Sequence, residues 1–113
     1  MVWRFFEIAL PIGCFAFHAA NGGRRGRIEA AIFKGLGVVA GVPDFIIIWQ
    51  GRVFGIELKA DSGRLSMPQV RTHQAMTAAG CEIAVCRSLD EVDTALRGWG
   101  IPLLARFNTM AAA

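Results

Sequence analysis

The segment Gly41–Lys59, GVPDFIIIWQGRVFGIELK, limits this chain more than any other feature. Two apolar runs, Asp44–Trp49 and Val53–Lys59, flank the dipeptide Gln50-Gly51, a pattern that reads as an antiparallel hairpin. A two-residue turn sets Trp49 opposite Arg52, and counting outward brings Asp44 opposite Glu57, with Cβ atoms ~5 Å apart. Strand alternation then puts Asp44, Glu57 and Lys59 on one face and Phe45, Ile47, Phe54, Ile56 and Leu58 on the other. Directly opposed carboxylates destabilise a sheet unless something compensates them. Two compensations fit the residues: Lys59 in a partly exposed ion-pair cluster, or a divalent cation. An oxygen-only donor set suits Mg²⁺ or Mn²⁺ rather than zinc. With such an ion, the site has the parts for phosphoryl chemistry, and Lys59 is placed to orient water or neutralise charge on phosphate.

At 113 residues and 12.2 kDa the chain is expected to form one domain, 1–113, with NTMAAA reading as a frayed tail from about 107. Apolar residues make up 54% and charged residues 19%, which excludes a disordered chain and implies surface covered by a partner, a second copy of itself. Net charge is +3, and Arg24, Arg25, Arg27 and Lys34 share a short window with only Glu29 opposing them. That bias fits a nucleic-acid partner. The three cysteines have no useful spacing, and Cys14, Cys81 and Cys86 read as reduced thiols of a cytoplasmic protein. His18 and His73 are too few for a thiolate–histidine zinc site. The apolar run Ile8–Phe17 is a poor export signal, because Glu7 precedes it and Pro11 and Gly13 interrupt it. No run of about 18 apolar residues exists, so no membrane span is expected.

Around the hairpin, residues 2–10 read as a short helix stopped by Pro11, and 14–18 as a strand. Ile28–Lys34 reads as a helix ending near Gly35 and Gly37. Ser66 with Gln69 is a capping-box start for a helix to about Ala79, followed by the strand Glu82–Cys86. Ser88 with Glu91 starts a last helix running to about Arg97. The order α-β-α-β-β-α-β-α predicts an α/β domain with a mixed central sheet.

These residues resemble a known family. PD followed by ELK matches the PD-(D/E)xK nuclease signature, which is short and recurs by chance. FHAANGGRRGRIEAAIFKGLGVVAGVPDFIII and GIELKADSGRLSMPQ are more specific and resemble the stand-alone phage and bacterial type of the VRR-NUC family. The resemblance is strong from His18 to Gln69 and weaker to about Leu103. It implies a restriction-endonuclease-like core and a Mg²⁺- or Mn²⁺-dependent endonuclease cutting branched DNA such as Holliday junctions as a homodimer. A flap or nicking nuclease of the same chemistry is the alternative, as is a non-catalytic DNA-binding module on a degenerate nuclease fold. The resemblance implies Asp44 and Glu57 as metal ligands, the Leu58 carbonyl as a third, and Lys59 as the catalytic lysine. Gln69 matches the family glutamine, and a capping role stands beside a catalytic one. Family members usually add a glutamate from a first helix, and only Glu7 is available upstream for it.

For DNA, Asn21, Gly22, Gly23, Arg24, Arg25 and Arg27 form a glycine-and-arginine stretch suited to phosphate, with Lys34, Arg64 and Arg71 as further candidates. A solvated basic turn is the plain alternative. Trp3, Trp49 and Trp99 read as core or dimer contacts rather than base-stacking platforms.

Overall fold

The computed structural model describes residues 1–19 and 26–106. Its elements are α1 (Val2–Ala9), β1 (Phe15–His18), α2 (Arg27–Gly35), β2 (Phe45–Trp49), β3 (Arg52–Leu58), α3 (Met67–Ala78), β4 (Glu82–Cys86) and α4 (Leu89–Gly98). Both the order and the mixed α/β class agree with the sequence reading. The four strands lie in the order β1-β2-β3-β4, with β1-β2 and β2-β3 antiparallel and β3-β4 parallel.

The hairpin register is the expected one, from Trp49 opposite Arg52 to Phe45 opposite Ile56. Positive φ at both Gln50 (49°) and Gly51 (76°) gives a turn whose twist matches that of the strands. One sheet face carries Phe45, Ile47, Phe54, Ile56 and Cys86 into a core with Phe5, Phe6 and Ala9 of α1 and Val92 and Leu96 of α4. The buried positions on α1 fall on one helical stripe, and Phe6 meets Phe45 edge-on at 5.2 Å between centroids. Trp3 stacks on Phe45 and Trp99 on Phe54, so both act as packing residues, and Trp49 also packs against the core. Cys14, Cys81 and Cys86 are free thiols.

The opposite sheet face receives α3. Its start is the predicted capping box: the Ser66 Oγ accepts from the Gln69 amide (3.3 Å), and the Gln69 Oε1 accepts from the Ser66 amide (2.9 Å). Ser88 caps α4 with the first half of this pattern, its Oγ accepting from the Glu91 amide at 3.1 Å, while the Glu91 Oε1 accepts from the Arg87 amide (2.9 Å). Farther along this face Phe15 (62%), Phe17 (40%) and Ile48 (37%) stay exposed. On α2 no residue is buried, and Ile28, Ile32 and Leu36 form an exposed apolar stripe at four-residue spacing. No helix among the described residues is long and apolar enough to cross a membrane.

Candidate active site

Gly41, Pro43 and Asp44 of the GVPD loop each have a steric or hydrogen-bonding task. Gly41 has φ +85°, and a Cβ there would lie 2.3 Å from the Pro68 carbonyl oxygen, so only glycine lets this backbone pass the start of α3. Thr72 adds a hydrogen bond from its Oγ1 to the Ala40 carbonyl (2.6 Å). Pro43 covers Gly55 of β3, where a methyl group would come within 2.6 Å of its ring. Asp44, one residue before β2, is then held from both sides. Its carbonyl accepts from the Ala19 amide (2.8 Å) and from His18 Nδ1 (2.7 Å), and its Oδ2 accepts from the Leu58 amide (2.7 Å).

Asp44 immediately precedes the Phe45–Ile56 pair, which puts it across from Glu57. Glu57 is only 2% exposed. Burial first, then a hydrogen bond and repulsion from Asp44, push its carboxyl up to about 8, while Lys59 pulls the other way. The protonated Glu57 thus shares its proton with Asp44, a compensation that the sequence reading did not weigh. Lys59 follows at the end of β3, half-buried, its amide donating to the Cys86 carbonyl (3.0 Å). Arg87 braces the loop beyond it, donating from Nη1 to the carbonyls of Ala60 (2.6 Å) and Gly63 (2.7 Å).

His73 of α3 is the neighbour that sequence reasoning missed as part of this site. Its Nε2 lies 3.2 Å from Glu57 Oε1, yet the two are not aligned for a hydrogen bond and neither has another partner. Burial lowers the pKa of this imidazole, with Asp44 acting to raise it and Lys59 to lower it. The available signal was spacing: His73 lies one helical turn after Gln69, on the same side of α3.

Asp44, Gln69 and His18 line one cleft of about 440 Å³, together with Gly41, Ser66 and Pro68. Gln69 therefore borders the cleft while its side chain serves the cap. A groove of about 670 Å³ shares Ala40 and Pro68 with this cleft and is lined by Lys34 and Arg71 among others. Arg27 and Arg64 are exposed. Asn21, Gly22, Gly23, Arg24 and Arg25 lie outside the described residues. Glu7 stands on the exposed side of α1 in a separate cleft with Trp3, Leu10 and Phe15, and no described contact brings it to Asp44 or Glu57. Among the described residues no three His, Cys, Asp or Glu side chains converge on a single point as metal ligands.

The chemistry of the donor set, two carboxyls facing each other across the hairpin with one of them buried, fits a hard divalent cation bound through oxygen. Two facing carboxyls that must share a proton when alone are a pair that a cation satisfies better.

The sequence matches no protein-family model and no curated protein. Among solved structures, a VRR-NUC domain protein is similar in fold. It is 25% identical with a TM-score of 0.60, and the match covers 84% of this chain and 69% of that one.

Proposed function

This chain carries the VRR-NUC fold, a nuclease domain with a PD-(D/E)xK-like core, and from that premise we propose that it is a Mg²⁺- or Mn²⁺-dependent, structure-specific DNA endonuclease. The observation that carries the reading is the juxtaposition of Asp44 with the buried Glu57, followed directly by Leu58 and Lys59. Asp44, Glu57 and the Leu58 carbonyl would hold the cation, which would supply Lewis acidity at the phosphodiester and a more acidic water. Asp44 is fixed by its three hydrogen bonds, so its carboxylate needs little reorganisation to bind. Lys59 supplies positive charge beside the scissile phosphate and orients the attacking water, while Arg87 keeps the following loop from drifting. Gln69 holds the start of α3 against the cleft. Glu7 is an exposed residue in this scheme, which favours one-metal chemistry.

Lys34 and Arg71 both line the groove that shares Ala40 and Pro68 with the cleft, supporting a path for the DNA backbone, with Arg27, Arg64 and the Asn21–Arg25 stretch as further phosphate contacts. Four-way junctions are the substrate we favour, cut in pairs by a homodimer. The exposed Phe15, Phe17 and Ile48, and the Ile28–Ile32–Leu36 stripe, support a second copy as cover.

The test is cleavage of labelled linear, flap and four-way-junction DNA with Mg²⁺, Mn²⁺ or EDTA. Cutting of the junction that needs a divalent cation is the expected result, and no cleavage of any substrate with either metal defeats the reading. Lys59→Ala is expected to abolish cutting while leaving junction binding in a gel-shift assay largely intact. Full activity in that variant moves the chemistry elsewhere.

A further inference from the structure

The helices on the core side are anchored by Phe5, Phe6, Ala9, Val92 and Leu96, whereas α3 buries a single side chain, His73. An imidazole 8% exposed is a poor anchor: desolvating its polar atoms costs free energy, and Met or Leu would fill the seat without that cost. What His73 faces is Glu57, with Nε2 and Oε1 3.2 Å apart, both buried and neither in a hydrogen bond. A donor and an acceptor at contact distance but out of line form a pair poised to close. Hydrogen bonds in sites of this kind are commonly misaligned before ligand binding and tighten with it.

Resting on the nuclease reading above, we propose that His73 is a positioning residue for Glu57, engaging Oε1 so that the other carboxylate oxygen is presented to the divalent cation shared with Asp44. The imidazole belongs to α3, so Glu57 meets one neighbour from that helix and another, Asp44, from its own hairpin. Outer partners of metal-binding carboxylates typically change metal affinity by about 10–100-fold when removed. His73 touches neither DNA nor the reacting phosphate in this scheme, so its loss leaves KM for DNA unchanged.

The experiment is a Mn²⁺ titration of the DNA-free protein, read by the electron paramagnetic resonance signal of free Mn²⁺. His73→Met is expected to bind Mn²⁺ about 10–100-fold more weakly, and His73→Gln, whose amide N–H can donate, to recover most of that loss. A histidine with only a structural role would lower the melting temperature of His73→Met in EDTA without changing its Mn²⁺ affinity, and equal affinity overturns the inference. A second measurement needs no variant: adding Mg²⁺ to the wild-type protein should shift the His73 imidazole ¹⁵N resonances, and unmoved resonances overturn the inference as well. Absence of Mn²⁺ binding by the wild type would instead overturn the nuclease reading on which this one rests, so the two failures are separable.

Discussion

Replacing Glu57 by Gln should stabilise the metal-free protein in alkaline solution while abolishing the proposed cleavage. The folded protein holds the Glu57 carboxyl at about 8, against 4.5 for the ordinary group, so between these values the folded state keeps a proton that the unfolded chain has released. The contribution of that proton to stability is present in full below about 4.5 and is lost as pH rises through 8. Fully ionised, an unpartnered Glu57 would cost the fold up to about 5 kcal/mol. Between pH 7 and 8.5 the expected loss is about 1 kcal/mol. Gln keeps the shape and one hydrogen-bond donor but has no proton to lose. His73 acts with the opposite sign, because its lowered pKa gives stability above the ordinary value of 6.5 that is lost on acidification. The Cys14 and Cys86 thiols, both raised by burial, contribute a loss that begins near pH 9. Both proteins share these other groups, so the difference between them isolates Glu57. Urea denaturation in EDTA at pH 7 and 8.5 measures it. Parallel pH dependences in the two proteins would refute the reasoning. Saturating Mn²⁺ should reverse the alkaline loss in the wild type and do little for Glu57→Gln.

Gly41→Ala should destabilise the protein by about 3 kcal/mol, combining strain at positive φ with overlap against the Pro68 backbone, and should reduce cleavage by displacing Asp44. A loss below about 0.5 kcal/mol in urea would mean that the loop does not need this approach. Gln50→Gly removes a side chain from a left-handed position at an exposed turn and should add about 1 kcal/mol of stability without altering cleavage. Unchanged or lowered stability would argue against the turn geometry.

The hairpin was legible because its information is local. A two-residue turn sets the register, and period-two alternation assigns the faces, so the opposition of Asp44 and Glu57 follows from counting. The helix starts at Ser66 and Ser88 were legible for the same reason, since a capping box spans four residues. What escaped depends on contacts distant in sequence. Nothing local to α3 marks His73 as its buried residue, because that helix has no apolar stripe to point inward. The tight pass of Gly41 over Pro68 involves residues 27 positions apart and looks like an ordinary loop glycine from either side. Glu7 was the acid that the first helix offered, yet the face of α1 that carries it is turned to solvent. In α2 the apolar Ile28 and Ile32 lie one turn apart, yet among the described residues nothing buries them.

The clamp on the GVPD loop also bears on when this protein can become active. Its contacts come from Ala19 and His18 ahead of the loop, from Leu58 after the turn, and from Pro68 and Thr72 on α3. A chain synthesised from its N-terminus has made Asp44 and Glu57 before it has made α3, and the contacts that α3 adds to the loop are long-range. Until α3 docks, Asp44 has its partners on β1 and β3, but Glu57 lacks His73 and the loop lacks Pro68 and Thr72. The proposed ability to cut DNA would then arrive with completion of the fold, and partly made or partly unfolded chains would carry the candidate residues without an assembled site.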